Sequence, residues 1–317
     1  MVLGDNMRGA LLMTAGMAAF TVNDAFMKLL SAEMELFQAL FLRGLGTTAA
    51  FFAIAHWFGA LRFSIAPRDR FLIAMRMMAE IGAAYFFLTA LFNMPLANAT
   101  AILQSLPLVI TLAGALFLGE ALGWRRLLAI SAGFVGVLLI VRPGTEGFNF
   151  YSVMALVSVL CVTVRDLATR RLSSQVPSLS VALTTAGGVT LFFGFASVTS
   201  DWVVPSVAGA GQLVGATLCI IAGYLLSVMA VRVGDLGFVM PYRYTSLIWA
   251  LLLGLFVFGD WPSPLTMLGA AIIVATGLFT FHRERRLRLT GAHPALPTPT
   301  AVPPVRSSDA PDRGAGR

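Results

Sequence analysis

Long apolar runs, separated by short polar links, follow one another along almost the whole chain. Ten of them are each about 20 residues long, which is the length of helix that crosses the ~30 Å hydrocarbon layer of a bilayer. They predict helices rather than strands, because a helix satisfies its own backbone hydrogen bonds in lipid. The predicted spans are 8–28, 35–56, 71–92, 97–118, 125–142, 150–168, 178–199, 210–231, 236–258 and 265–282.

The composition is typical of an integral membrane protein. Hydrophobic residues make up 58% of the chain and charged residues only 12%, whereas soluble domains carry about 25% charged residues. The net charge of +7 comes from arginines in the links and in the C-terminal segment, so we expect no nucleic-acid partner. Cys161 and Cys219 fall in apolar runs without metal-ligand spacing. We therefore expect no cofactor and no metal.

Arginines concentrate in alternate links, and this asymmetry predicts the orientation in the membrane. Links that carry arginine are expected in the cytoplasm, which places both termini there; Arg142 is the exception. Residues 283–317 start basic and continue rich in proline, and this composition predicts a disordered cytoplasmic tail. The arginines on which this predicted orientation rests are Arg8, Arg62, Arg68, Arg70, Arg125, Arg126, Arg170, Arg171, Arg232, Arg283, Arg285, Arg286 and Arg288.

The chain contains an internal repeat. Residues 101–120 align without a gap on 241–260, so that Gly119-Glu120 falls on Gly259-Asp260. Upstream, the segment 23–31 aligns on 165–173, which matches Asp24 to Asp166 and Ser31 to Ser173. The chain therefore divides into two five-helix units, 1–147 and 148–282, followed by the tail. Because five is odd, the second unit is inverted in the membrane, an architecture typical of secondary transporters.

The glycine-acid pairs that end spans 4 and 9, together with glycine-rich fifth and tenth spans, resemble the drug/metabolite transporter superfamily in its EamA branch. The resemblance covers about residues 8–282. Three segments are similar to bacterial S-adenosylmethionine uptake carriers, and riboflavin carriers belong to the same group: Asn23-Asp24 with Lys28, Phe41-Leu42-Arg43, and Pro241-Tyr242-Arg243-Tyr244. The resemblance implies a ten-helix carrier whose substrate cavity is lined by spans 1, 3, 4, 6, 8 and 9.

Charged residues within the spans are the candidates for function. A charge near the bilayer centre costs at least about 2.5–3.5 kcal/mol, and Arg43, Glu80 and Arg243 lie at depth. One alternative is that they form structural ion pairs, with Glu80 next to Arg76, Arg43 or Arg243. We expect Glu120, Asp260, Arg165 and Asp166 to be structural, because they lie near helix ends.

The predicted substrate site combines these charges with aromatic and amide side chains. Tyrosines beside Arg243 would suit a planar or carboxylated solute, and Pro107 is expected to kink span 4. Asp24 or Glu80 is the candidate for carrying a coupling proton. The predicted substrate-binding residues are Arg43, Glu80, Tyr85, Gln104, Tyr224, Tyr242, Arg243, Tyr244 and Trp249.

Three classes of function are compatible with a polytopic chain. A membrane enzyme is disfavoured, because the spans contain no GxSxG motif, no catalytic histidine pair and no metal triad. Without a P-loop motif, a gradient must drive transport. We expect a multi-pass carrier in the cytoplasmic (inner) membrane, monomeric or homodimeric, that takes up a small riboflavin- or S-adenosylmethionine-like metabolite. The alternatives are an exporter of amino acids or related metabolites, and a non-transporting scaffold or flippase component.

Overall fold

A computed structural model describes residues 4–57, 66–119, 123–143, 148–173, 176 and 178–289. Every regular element in this part of the chain is helical. Glu120 and residues 290–317, which include most of the predicted tail, lie outside the described residues. The helices are α1 (Asp5–Leu30), α2 (Leu36–Trp57), α3 (Pro67–Asn93), α4 (Leu96–Leu103), α5 (Leu106–Leu118), α6 (Trp124–Val141), α7 (Phe150–Arg170), α8 (Ser178–Ala196), α9 (Val207–Val233), α10 (Leu236–Val239), α11 (Thr245–Phe258) and α12 (Pro264–Leu289), with 3-10 turns at Ser197–Thr199 and Met240–Tyr244.

Most of the predicted spans are present as membrane-length helices. Within the described residues, nine helical segments are long and apolar enough to cross a bilayer, which makes this a multi-pass membrane protein. The predicted span 125–142 corresponds to α6, whose apolar part, Leu127–Val141, is shorter than a full span. The count of ten spans and the cytoplasmic location of both termini therefore stay predictions.

Spans 4 and 9 are both interrupted near their middle. In span 4 the helix breaks between Leu103 and Leu106, and Pro107 lies in the first turn of α5. Pro107 has no N–H group to donate to the carbonyl of Leu103, four residues earlier, so the predicted kink has a direct cause. In span 9 the 3-10 turn Met240–Tyr244, which contains Pro241, separates α10 from α11. The two interruptions occupy equivalent positions in the two repeats.

The repeated glycine-acid motif is a helix-termination signal. Gly119 ends α5 and Gly259 ends α11, each in the left-handed region with φ of 68°. After the second of these glycines, the backbone N–H of Asp260 donates to the carbonyl of Gly254 at 2.9 Å. A side chain at such a φ costs roughly 1–2 kcal/mol, which explains why glycine stands at both positions.

Helices from the two repeats pair with one another across the bundle. The four most extensive helix–helix interfaces are α1 with α9, α3 with α7, α6 with α12 and α2 with α8. In the two repeats, α1 corresponds to α7 and α3 to α9, so the α1–α9 pair is equivalent to the α7–α3 pair. The pairs α6–α12 and α2–α8 each join two equivalent helices. The interfaces thus follow the symmetry that the internal repeat predicts, and each of them joins one repeat to the other.

Hydrogen bonds join the links that carry most of the arginines at one end of the bundle, which we name the arginine-rich face. The links around residues 31–35, 94–95, 197–206 and 259–263 lie at the other end, which we name the opposite face. The contacts that tie the arginine-rich face together are Asp235 N to Asn6 Oδ1 (2.9 Å), Ser173 N to Asp69 Oδ1 (3.2 Å) and Arg171 Nη2 to the carbonyl of Phe117 (3.0 Å).

Helices α6 and α12 cross at two glycines, and this contact generates a prediction. A Cβ added at Gly136 would lie 2.7 Å from the carbonyl oxygen of Gly269, and one added at Gly269 would lie 2.5 Å from that of Gly136. We expect Gly136→Ala to lower the melting temperature in detergent, because overpacking costs about 1–3 kcal/mol. Gly211→Ala is the matched control, because a Cβ there meets nothing within 4 Å. Equal melting temperatures for both variants would contradict this close crossing.

Candidate functional site

The bundle encloses a cavity of about 270 Å³ between both repeats, which we name the first cavity. Residues of α1, α2, α3, α4, α5, α7, α9, α11 and the 3-10 turn before α11 line this cavity. Both apolar and polar side chains contribute to its walls. The polar lining residues are Thr21, Asn23, Asp24, Arg43, Glu80, Thr100, Gln104, Ser158, Arg165, Arg243 and Ser246.

A second cavity of about 370 Å³ lies next to the first, in the half of the bundle towards the arginine-rich face. Arg43, Glu80 and Arg165 belong to both cavities, so the two spaces meet at these side chains. Together the two cavities fall in the size range of small-molecule sites. The polar residues that line the second cavity are Arg43, Thr47, Arg76, Glu80, Arg165, Asp166, Thr169, Thr185, Thr190 and Tyr224.

Arg165 forms the charged centre where the cavities meet. Its Nη1 lies 3.3 Å from both carboxylate oxygens of Glu80, and its Nε donates to Asp166 Oδ1 at 2.9 Å. The partner of Glu80 is therefore Arg165 rather than one of the three arginines suggested from the sequence. About a quarter of each side chain stays exposed, 29% for Glu80 and 25% for Arg165. These groups are paired and still face the cavity.

Asn23 connects Arg43 to Asp24. Its Oδ1 accepts a hydrogen bond from Arg43 Nη1 at 3.2 Å, and its Nδ2 donates to Asp24 Oδ1 at 2.9 Å. Asn23 is 3% exposed, so this amide is held rigidly between the guanidinium and the carboxylate. Among the described residues, no arginine or lysine nitrogen forms a salt bridge with Asp24.

Neutral hydroxyl groups hold Arg76 at the wall of the second cavity. Its Nε donates to Thr169 Oγ1 at 2.9 Å and its Nη1 to Thr185 Oγ1 at 2.6 Å. Both threonines in turn donate to backbone carbonyls one helical turn earlier. The suggested ion pair between Arg76 and Glu80, one turn apart on α3, is replaced by these contacts to α7 and α8.

Gln104 links the interruptions of spans 4 and 9. Its Nε2 donates to the backbone carbonyl of Arg243 at 3.0 Å and to Ser246 Oγ at 2.5 Å. This amide fixes the backbone from which the guanidinium of Arg243 extends into the first cavity. Gln104, which the sequence predicts as a substrate-binding residue, thus also positions Arg243.

Five of the nine predicted substrate-binding residues line these cavities: Arg43, Glu80, Gln104, Tyr224 and Arg243. Asp24, the second candidate for coupling, lines the first cavity. The other four residues do not line either cavity.

The tyrosines on either side of Arg243 correct the sequence-based interpretation. Successive residues of a 3-10 turn point about 120° apart, so Tyr242 and Tyr244 leave the backbone in directions different from that of Arg243. Tyr242 instead packs 5.8 Å from Phe238, and Tyr244 packs against Phe281 on α12. Neither tyrosine therefore flanks the guanidinium inside the cavity.

Tyr85 and Trp249 also lie away from the cavities. Tyr85 stacks on Phe37 at 5.9 Å and is 36% exposed at the surface of the bundle. Trp249 packs against the cluster around Met13 and Met17 on α1. Residue type and depth alone suggested both residues, and neither property determines the direction of a side chain on its helix.

Sequence reasoning missed the cavity positions of Arg165 and Asp166. Helix α7 continues to Arg170, which places these two residues more than a helical turn inside the helix end. The repeat alignment contained the missing signal, because it places Arg165 and Asp166 on Asn23 and Asp24. All four residues face the two cavities.

On the opposite face, hydrogen bonds join two links of the chain; we name these contacts, formed by Glu33, Gln38, Val203 and Ser206, the opposite-face clamp. The amide of Gln38 donates to the carbonyl of Val203 at 2.5 Å and accepts from its N–H at 3.1 Å. Glu33 accepts from the backbone N–H of Ser206 and, at 3.0 Å, from its hydroxyl. The clamp ties the link before α2 to the link before α9.

Lys28 closes the same face beside the clamp. Its ammonium group donates to the carbonyl of Leu91 at 3.2 Å and to that of Met94. It also lies 5.4 Å from the ring centroid of Phe258. The neighbouring side chains of Leu30 and Leu91 are fully buried, so little space remains for a solute on this side of the cavities.

The contact between Glu80 and Arg165 predicts coupled stabilities. We expect Glu80→Gln and Arg165→Gln each to reduce the free energy of unfolding by about 1.5–3 kcal/mol, because each removes a charged hydrogen bond. The double variant should lose less than the sum, by about 0.5–3 kcal/mol. Melting temperatures in detergent measure this cycle, with Arg68→Gln at the exposed start of α3 as the control. Strictly additive losses would show that the contact contributes nothing to stability.

Comparison with known proteins supports a transport fold. The EamA-like transporter family matches residues 7–142 and 149–281. A crystal structure of another protein superposes with a TM-score of 0.62 at 20% identity, covering 88% of this chain and 98% of that one, which supports the fold alone.

Similar proteins carry transporter names. An S-adenosylmethionine uptake transporter of Rickettsia conorii is 23% identical over 268 residues, 84% of this chain and 90% of that protein. A riboflavin transporter of Rhizobium johnstonii is 31% identical over 217 residues, 66% and 69% of the two chains. A pseudopaline exporter of Pseudomonas aeruginosa is 27% identical over 286 residues, 86% and 96%. Because the family match covers both halves of the bundle, the chain belongs to the EamA-like transporter family.

Proposed function

We propose that this protein is a secondary transporter that takes up a small riboflavin- or S-adenosylmethionine-like metabolite across the cytoplasmic (inner) membrane. One observation carries the proposal: charged cavities at the centre of the bundle extend towards the arginine-rich face, while hydrogen bonds join the links at the opposite face. We infer that these hydrogen bonds close the cavities on that side. A solute site that is closed on one side is the arrangement that alternating access requires.

The orientation follows from the charge distribution. The arginine-rich face lies in the cytoplasm, together with both termini, and the opposite-face clamp lies outside. In this orientation the cavities face the cytoplasm. Arg43, Glu80, Gln104, Tyr224 and Arg243 contact the solute, since they line the cavities.

The names of the relatives support a small-metabolite substrate, and they include both uptake and export. The proteins of Rickettsia conorii and Rhizobium johnstonii, named for S-adenosylmethionine and riboflavin, favour uptake or exchange of a solute of that size. Export is the second candidate, and the relative named as a pseudopaline exporter, which is covered over 96% of its length, favours it.

The energy for transport comes from a gradient, and Asp24 is the better placed of the two coupling candidates. Arg165 contacts both oxygens of Glu80, so the charge of that carboxylate is needed for the ion pair. Asp24 accepts one neutral hydrogen bond, from Asn23, and lines the first cavity. A carboxylate in this position can take up and release a proton without breaking a salt bridge.

Opening to the outside requires the opposite-face clamp to separate. The most extensive interfaces each join the two repeats, so the repeats cannot move apart as two rigid bodies. We therefore propose that the rearrangement moves mixed groups of helices, and that the links before α2 and α9 part during each cycle.

Reconstituted protein tests both the transport and the clamp. We expect proteoliposomes to take up labelled S-adenosylmethionine or riboflavin in exchange for internal unlabelled solute. In a background with Cys161→Ser and Cys219→Ser, the pair Glu33→Cys and Ser206→Cys should stop this exchange after a short thiosulfonate cross-linker is added, and a reductant should restore it.

The single-cysteine variants treated with the same cross-linker serve as controls. Absence of any solute-dependent flux in folded protein would contradict the transport function and favour a scaffold role. Undiminished exchange after complete cross-linking would contradict the role of the clamp.

Replacing Asp24 separates coupling from binding. We expect Asp24→Asn to abolish accumulation driven by an imposed proton gradient while solute exchange continues, because exchange needs no net proton transfer. Glu80→Gln should instead lower the melting temperature and leave the pH dependence of uptake little changed. Loss of both modes in folded Asp24→Asn protein would indicate solute contact rather than coupling.

A further inference from the structure

Positive charge exceeds negative charge in the two joined cavities. Their described lining residues include four arginines and three carboxylates: Arg43, Arg76, Arg165 and Arg243 against Asp24, Glu80 and Asp166. The pairing within this set is uneven, because Arg165 alone contacts both Glu80 and Asp166. The remaining arginines have no carboxylate within salt-bridge distance in the part of the chain that the structure describes.

Among the described side chains that line the first cavity, Arg243 has the greatest unused hydrogen-bonding capacity. Its backbone carbonyl accepts from Gln104 at 3.0 Å, but no described residue accepts a hydrogen bond from its guanidinium. The group is half-buried at the wall of the first cavity. A guanidinium carries five N–H donors, and leaving them unpaired away from bulk water is costly.

Arg43 lies at the wall of the same cavity and is only partly satisfied. It donates to one neutral acceptor, Oδ1 of Asn23, at 3.2 Å. Its other donors are available to a ligand.

We propose that the transported solute carries a carboxylate or phosphate group, bound in the first cavity by the guanidinium groups of Arg43 and Arg243. A planar guanidinium pairs with both oxygens of such an anion and gives charge-assisted hydrogen bonds. This inference rests on the proposed transport function and narrows its substrate class. It favours S-adenosylmethionine-like solutes, which carry a carboxylate, over riboflavin, which carries no acid group.

Matched solute pairs test the proposal. The first pair is S-adenosylmethionine and its decarboxylated form, which differ by the carboxylate; the second is flavin mononucleotide and riboflavin, which differ by the phosphate. We expect the member of one pair that carries the carboxylate or phosphate to bind the purified full-length protein about ten- to a hundredfold more tightly than the member that lacks it. The pair that shows this difference identifies the anion.

The variants locate the binding groups. Arg243→Gln should remove the preference for the member that carries the carboxylate or phosphate, and Arg243→Lys should retain only part of the preference. Arg232→Gln, at the exposed end of α9, is the control and should retain the wild-type preference. Melting temperatures without solute show whether each variant is folded.

The outcomes separate this inference from the proposed function. If the members that carry the carboxylate or phosphate bind no more tightly than those that lack it, or if Arg243→Gln keeps the preference while folded, the inference is overturned, even where riboflavin is transported. If the preference depends on Arg243 but none of the four solutes crosses proteoliposome membranes, a binding site for this group in the first cavity is supported and the proposed uptake of these solutes is overturned.

Discussion

The contact of Arg165 with Glu80 and Asp166 is the interaction on which the centre of the structure depends. Unpaired charge in a water-poor interior is costly, so a helix bundle that places arginines there must supply carboxylates from neighbouring helices. Glu80 comes from α3 and the other two residues from α7, which form one of the four most extensive interfaces of the bundle. The pairing neutralises one arginine with two carboxylates and leaves the remaining guanidinium groups to the cavity.

Pseudo-symmetry explains how this centre is built and why the site itself is asymmetric. Equivalent helices form equivalent interfaces, and both repeats end a helix with a left-handed glycine, at Gly119 and Gly259. The side chains at equivalent cavity positions differ in charge. Where one repeat has Asn23, the other has Arg165, and the position equivalent to Leu103 is Arg243. Shared backbone geometry with different side chains gives a central cavity whose two sides are chemically distinct.

The two faces of the bundle differ in the kind of contact that holds them. At the opposite face, Glu33 and Gln38 bond mainly to backbone groups of another link. Such hydrogen bonds contribute about 0.5–1.5 kcal/mol each for the neutral amide of Gln38 and about 1.5–3 kcal/mol for a carboxylate such as Glu33. Interfaces between long helices are far more extensive. A rearrangement that separates the links while keeping the helix pairs therefore costs least, which is consistent with alternating access around a central cavity.

The membrane-spanning helices, the internal repeat, the family and the presence of charge at depth are predictable from the sequence alone, because apolar length, glycine-acid motifs and buried charges are properties of the chain's linear pattern. The sequence also identified Arg43, Glu80 and Arg243 as cavity residues. Which groups share a wall depends on the tertiary structure. Tyr242 and Tyr244 point away from their neighbour because a 3-10 turn rotates each residue by about 120°. The partner of Glu80, like the closure at Gln38, depends on contacts between helices distant in sequence, and side-chain direction and helix packing are three-dimensional quantities that residue type and spacing do not contain.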